Sequence, residues 1–102
     1  MPRMVELLPL FPAPKAGVAS RLLGGVAVAI TEADQTLHTF ENDVATEIWT
    51  LVDGQRSVGQ IVERIVEAYE VDRPTAEADV VAFMGLLREK GLIELRSEAA
   101  TR

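Results

Sequence analysis

The residue types that carry most enzyme chemistry are scarce in this chain. His38 is its single histidine and cysteine is absent, so the sequence offers no thiolate nucleophile and no cysteine-based metal site. A lone histidine in a strand is usually structural, and neither a serine nor a carboxylate is placed to complete a nucleophilic set with it. We therefore expect no catalytic residues.

Metal and nucleotide sites are equally poorly supported. Glu63 and Glu67 stand one helical turn apart, as two metal ligands can, but no histidine joins them and a solvated helix face explains both. The phosphate-loop pattern G-x-x-x-x-G-K-S/T does not occur, and Gly24-Gly25 suits a hairpin turn better than a nucleotide cradle. The expectation is a protein that is not an enzyme and that holds no metal and no cofactor.

Three β-strands are predicted in the first 40 residues, and they are the first elements that could position binding residues. The apolar runs Val18–Leu23 and 26–30 flank Gly24-Gly25, which predicts a β-hairpin because glycine accepts the positive φ angles of a two-residue turn. A third strand is predicted over Thr36–Phe40, which alternates loosely. One face of that strand carries Leu37 and Thr39, and the other carries Thr36, His38 and Phe40.

Three amphipathic helices are predicted after these strands. Asn42, Ser57 and Asp72 are suited to cap their amino ends, Ser57 within an S-x-x-Q capping box. Gly54 and Gly91 follow the first and third helices and are typical helix stops. Trp49 stands beside the apolar stripe of the first helix, so a packing role is favoured over stacking on a ligand.

The order of elements defines the fold class. Three strands, three helices and a short alternating run at residues 92–95 predict an α+β, winged-helix-like domain, with a three-stranded antiparallel sheet followed by a three-helix bundle. We place this domain at residues 18–95. Residues 1–17 form an extended proline-rich segment that can dock its leucines on the domain, and residues 96–102 form a polar tail.

Charge narrows the range of partners. The formal net charge is −6, and residues 41–95 alone carry −7. An acidic surface opposes non-specific attraction to nucleic acid and to anionic membranes. No apolar stretch is long enough to span a membrane, and Pro9 and Pro12 interrupt any signal-peptide helix, so a cytoplasmic protein is expected.

Several blocks of the sequence, taken together, resemble the PqqD-like family of precursor-peptide recognition elements. The blocks are NDVATEIWTLVDG at 42–54, SVGQIVERIVEAYEVD at 57–72 and AEADVVAFMGLLREKGLIE at 76–94, and the resemblance spans residues 37–95. The chain departs from the family at Glu41, where leucine is usual before the asparagine. We expect Phe40 to supply that apolar contact instead.

The resemblance implies a function by binding. Family members have a three-stranded sheet packed on three helices. They bind the leader of a ribosomally made precursor peptide as an extra strand at the sheet edge, beside the third helix. The partner is usually a radical SAM enzyme that modifies the peptide. The sequence leaves open whether the protein is a monomer or a homodimer.

The third helix offers two flanks for the second wall of such a groove. On a helical wheel Val80, Phe83 and Leu87 centre on the core. One flank carries Asp79, Ala82, Leu86 and Lys90, and the other carries Glu77, Val81, Met84 and Arg88. We favour the second flank because Val81 and Met84 would give it an apolar floor, and methionine adapts to varied partners.

The predicted peptide-binding set joins that flank to the third strand. Arg88 is suited to pair with an acidic residue of the leader. For Met84, core packing stays open as the alternative role. The predicted residues are Thr36, Leu37, His38, Thr39, Phe40, Glu77, Val81, Met84 and Arg88.

Two other functions fit a small helical domain. A winged-helix DNA-binding regulator would read DNA with the third helix, but Arg88 and Lys90 there are outnumbered by acidic residues. A carrier protein would need a serine at a helix start for its prosthetic arm. Ser57 occupies such a position, and its role as a cap explains it better.

Overall fold

Strand pairing sets the layout of the computed structural model, which describes residues 7–40 and 42–99. The strands are β1 (Phe11–Pro14), β2 (Val18–Leu23), β3 (Val26–Thr31), β4 (Thr36–Phe40) and β5 (Ile93–Arg96). The helices are α1 (Asp43–Leu51), α2 (Val58–Tyr69) and α3 (Arg73–Glu89). An antiparallel sheet has the order β2-β3-β4, and β1 pairs with β5 in a separate antiparallel ribbon. The predicted three-stranded sheet and three helices are thus confirmed.

Two turns fix the register of the sheet. Gly24 and Gly25 have φ angles of 60° and 84°, as the predicted two-residue hairpin requires. In the turn between β3 and β4, Asp34 accepts hydrogen bonds from the Thr31 hydroxyl and, at 3.2 Å, from the Thr36 N–H. The side-chain bond from Thr31, followed by those from Thr36, lowers the pKa of Asp34 from its ordinary value. These bonds hold the start of β4 against β3.

All three predicted amino-terminal caps are present. The side-chain oxygen of Asn42 accepts the N–H three residues on, at 2.7 Å. Ser57 accepts from the Gln60 N–H at 3.2 Å, and the Gln60 side chain accepts from the Ser57 N–H at 2.8 Å, which completes the capping box. Asp72 accepts from the N–H three residues on, at 3.2 Å. Each helix therefore starts where a local hydrogen bond satisfies exposed backbone donors.

The core lies between the sheet and the helices. Ala27 and Ala29 of β3 are fully buried, and these short side chains let α1 approach the sheet closely. Trp49 is 5% exposed, which confirms its packing role. The largest fully buried side chains come mainly from α2, α3 and the turn after α3: Ile61, Met84, Leu87, Leu92, Val58, Val62, Val80 and Pro12.

Of the N-terminal segment predicted over residues 1–17, residues 1–6 lie outside the described part, and residues 7–14 form a strap across the helical side of the molecule. The carbonyls of Leu8, Leu10 and Pro12 accept hydrogen bonds from the N–H groups of residues 59, 58 and 54, at 2.9, 2.8 and 2.8 Å. Leu7 is buried, as the expected docking of leucines requires. Leu7 is helical and residues 8 and 9 form a turn, so the segment predicted to be extended is so only after them. From Phe11 to Pro14 its prolines are compatible with a strand that pairs on one side only. The boundary drawn at residue 18 stays a prediction.

Replacing Ser57 by alanine is expected to lower the free energy of unfolding by about 1 kcal/mol, because α2 then loses its capping box. Urea denaturation followed by circular dichroism measures the change. Ser20→Ala, an exposed hydroxyl on β2, is the control and should change stability little. Equal effects of the two substitutions would contradict a capping contribution.

The stability of the domain should also depend on Asp72 at acid pH. Hydrogen bonds from Thr75 lower the pKa of Asp72 in the folded state. The resulting stabilisation is present above the unfolded pKa and is lost as pH falls through the folded value. Asp72→Asn keeps a good cap but removes this titration, so wild type and variant should differ more near about pH 6 than near about pH 3.

Denaturant unfolding at both pH values measures the dependence on Asp72. Glu67→Gln, which removes an exposed carboxylate in the last turn of α2 and outside the cap of α3, is the control and should show no such convergence. A wild-type advantage over Asp72→Asn that is independent of pH would show that the carboxylate does not act through its charge.

Candidate functional site

Among the described residues, the outer edge of β4 is open. β4 is the last strand of the order β2-β3-β4, and the strap pairs with β5 instead of with β4. Within residues 7–40 and 42–99, no strand forms hydrogen bonds with this edge. An open edge presents unpaired N–H and C=O groups in a row, which is a template for an extended chain.

The register identifies which main-chain groups point outward from β4. Leu23 and Val26 close the two-residue turn and so exchange hydrogen bonds. Alternate residues of β3, beginning with Ala27, therefore direct their main-chain groups toward β4. Their partners there are Thr36, His38 and Phe40. The main-chain N–H and C=O groups of Leu37 and Thr39 consequently face the open edge.

The side chains of β4 alternate as the sequence predicted. Leu37 is 60% exposed, and Thr39 is exposed beside it on the outer face of the sheet. Thr36 and His38 are half-buried, and Phe40 is buried against the helices. A chain added to this edge would likewise turn every second side chain toward the helical layer.

Phe40 joins the end of β4 to two helices. Its ring stacks on Trp49 of α1, with centroids 5.2 Å apart, and meets Phe83 of α3 edge-on at 5.7 Å. The Thr46 hydroxyl donates to the Phe40 carbonyl at 2.7 Å. Phe40 thus makes the apolar contact expected of it. Glu41 lies outside the described residues.

A groove runs between β4 and α3, with a volume of about 340 Å³. Its floor and walls are mostly apolar, with an amide and two basic side chains added. The lining residues are His38, Thr39, Phe40, Asn42, Ala45, Phe83, Leu86, Leu87 and Lys90.

The orientation of α3 differs from the expected one. Its buried residues are Ala76, Val80, Met84 and Leu87, whereas Phe83 is half-buried and turned toward Phe40. The core-facing line of the helix therefore runs through Met84 instead of Phe83. Met84 is fully buried, so of its two proposed roles the structure supports core packing, and it offers no surface to a groove.

The flank favoured from sequence does not face β4. Val81 and Arg88 line a separate concave surface together with Leu7 and Leu95. Glu77 accepts a hydrogen bond from Arg73 at 2.9 Å. The structure brings β4 together with the flank that carries Leu86 and Lys90 instead.

The peptide-binding set predicted from sequence contains none of the groove-lining residues outside β4. One signal was available, because Leu86 is a large apolar residue off the buried stripe, and it remains 46% exposed in the structure. Whether any of these residues binds a peptide stays a prediction. The missed lining residues are Asn42, Ala45, Phe83, Leu86, Leu87 and Lys90.

The groups that this site presents are main-chain donors and acceptors, apolar side chains and a few polar ones. In the described ranges, no group of three or more histidine, cysteine, aspartate or glutamate side chains is arranged to hold a metal ion. None of the helices found there has the length and hydropathy of a membrane span. What the site offers is a row of main-chain hydrogen-bonding groups beside an apolar groove with basic side chains.

Sequence comparison finds similar proteins. Two proteins of Rhodopseudomonas palustris named "PqqA binding protein" are 39% identical over 59 residues (strain BisB5) and 40% identical over 52 residues (strain HaA2). These matches cover 58% and 51% of this chain and the same shares of the two relatives. The chain therefore spans little more than half the length of these relatives.

Two solved structures share the fold. TbiB1 in complex with the TbiA(beta) leader peptide superposes with a TM-score of 0.75 at 29% identity, covering 80% of this chain and 94% of that one. A lasso peptide synthetase B1 complexed with its leader peptide gives a TM-score of 0.70 at 20% identity, covering 81% and 96%. The second likeness concerns the fold alone.

The family model described as coenzyme PQQ synthesis protein D (PqqD) matches residues 41–93. This stretch contains α1, α2, α3 and the residue that begins β5. Since it makes up more than half of the sequence, the chain belongs to the PqqD family.

Proposed function

We propose that this chain binds the leader of a ribosomally made precursor peptide as an added strand on β4 and presents the peptide to a modifying enzyme. The open edge of β4, directly beside the groove under α3, carries the proposal. The relatives named as PqqA binding proteins support it, as does the solved complex of a similar chain with a leader peptide.

Main-chain pairing supplies the part of the binding that is independent of peptide sequence. Leu37 and Thr39 each direct one N–H and one C=O to the open edge. A peptide hydrogen bond formed in exchange for bonds to water contributes about 1 kcal/mol net. Four such bonds align an extended peptide along β4 without demanding particular side chains.

Side chains of the added strand supply selectivity. Those that face the helices would enter the groove between β4 and the flank of α3 that carries Leu86 and Lys90. Those that face the other way would lie beside Leu37 on the outer face. We therefore propose that the peptide contacts all five residues of β4. On α3 it would contact this flank in place of Glu77, Val81, Met84 and Arg88.

The protein acts in this proposal as a carrier and not as a catalyst. It needs no cofactor, and its partner is an enzyme, a radical SAM protein in the form we favour, that modifies the bound peptide in the cytoplasm. An affinity near about 1 µM suits a carrier that must release its cargo. Holding the peptide beside the enzyme raises the local substrate concentration. We also infer a winged-helix-like arrangement in which the β1–β5 ribbon is the wing.

DNA reading by α3 gains no support from the charges on that helix. Arg73 contacts Glu77 at 2.9 Å and Glu63 at 3.7 Å, so carboxylates surround this cation. A helix that reads the major groove usually presents unopposed arginine and lysine side chains. Peptide binding is therefore the function that the site supports best.

Replacing Thr39 by proline removes one outward N–H from the open edge while leaving the ladder to β3 in place. The ring also obstructs an approaching strand, so leader binding should weaken about tenfold. The probe is the leader of the precursor peptide encoded nearest the gene for this chain, and calorimetric titration measures its dissociation constant.

Ser20→Pro is the matched control, since the Ser20 main chain faces outward on the opposite edge of the sheet, at β2. Circular dichroism verifies that both variants fold. Equal loss of binding in the two folded variants, or none in Thr39→Pro, would contradict strand addition at β4. In an isotope-labelled chain, amide NMR shifts during the same titration should concentrate on residues 36–40 and 83–90.

A further inference from the structure

The charges that line the groove differ in sign from the surface around it. Residues 41–95 carry a net charge of −7, yet the ionisable side chains among the described lining residues are Lys90 and His38, both basic. Glu89, the neighbour of Lys90, lines the other concave surface, with Arg88. Asp79 lies on the same flank as Lys90 but about 16 Å farther along the helix. A basic position therefore stands next to an apolar one in an otherwise acidic region.

From this arrangement, and resting on the proposed function, we propose a side-chain code for the peptide that the groove accepts. The code is a large apolar residue, bound between Phe83 and Leu86, and an acidic residue at Lys90. The two stand on the same face of the extended peptide, with one or three residues between them.

The spacing follows from the geometry of a helix lying beside a strand. Leu86 and Phe83 precede Lys90 by four and seven residues, which is about 6 Å and about 10 Å along the helix. Same-face residues of a strand are about 6.7 Å apart when one residue separates them and about 13 Å apart when three do. The flexible lysine side chain can span the difference between these distances along the helix and along the strand. An acidic residue directly next to the apolar residue, or separated from it by two residues, would point to the outer face, away from Lys90.

Lys90 acts in this proposal by selecting among peptides more than by raising affinity. Its side chain is exposed, and an ion pair in contact with water contributes little to binding. Reversing the charge at residue 90 removes a weak attraction to the acidic residue of the peptide and adds a repulsion, and both effects weaken binding. We expect an approximately fivefold loss of affinity for peptides with the code, and a smaller loss at high salt.

The test is a selection from a displayed library of short random peptides against the full chain. Peptides whose binding is lost in Thr39→Pro are kept as strand-adding ligands. The selection is repeated with Lys90→Glu and with Arg88→Glu, which makes the same charge change two residues away on the other flank.

Wild type and Arg88→Glu should both enrich peptides in which one or three residues separate an aspartate or glutamate from a large apolar residue. Lys90→Glu should enrich lysine or arginine at that position. An unchanged code in Lys90→Glu, or a code that changes in Arg88→Glu instead, would overturn the proposal while leaving strand addition intact. Recovery of no peptide that depends on the β4 edge would count against the proposed function itself.

Discussion

The contact of Phe40 with Trp49 and Phe83 is the junction on which the rest of the site depends. It joins the last residue of an edge strand to two helices, in a part of the sheet where the hydrogen-bond ladder holds β4 on one side only. Aromatic pairs of this kind contribute about 1 kcal/mol each beyond the area they bury. Because β4 is fixed in this way, binding an extended chain requires little ordering of the protein, which favours affinity.

The open edge exists because the N-terminal strap takes another route. A strand added from the same chain would have capped β4, but the strap pairs with β5 and its carbonyls accept hydrogen bonds from the start of α2. The carbonyl of Pro12 faces Gly54, so residue 12 turns its main chain away from β5, and its missing N–H costs the ribbon no bond. An exposed edge is normally an aggregation hazard. In this protein the exposed edge lies beside the groove, where we propose that a peptide pairs with it.

Much of this molecule could be predicted from local signals. Gly24-Gly25 identified the hairpin, and Asn42, Ser57 and Asp72 identified the three helix starts, because each acts through bonds to residues within a few positions. The orientation of α3 could not be predicted in this way. Phe83 and Met84 are both large, apolar and close to the centre of the stripe, so periodicity alone does not rank them. Phe40, which lies 43 positions before Phe83, draws that ring toward β4 and leaves Met84 to fill the core.

The sequence by itself determined the order of the three sheet strands and the three helices, their caps and turns, and the family to which the chain belongs, but it did not identify β1 as a strand. Only the tertiary structure decided that the edge of β4 lies unpaired beside a groove and which flank of α3 faces it. The physical reason is the range of the interactions. Caps and turns are bonds between near neighbours, whereas the pairing of β1 with β5 and the seating of Phe83 on Phe40 join segments far apart in the chain. Competition among such distant contacts is settled by packing.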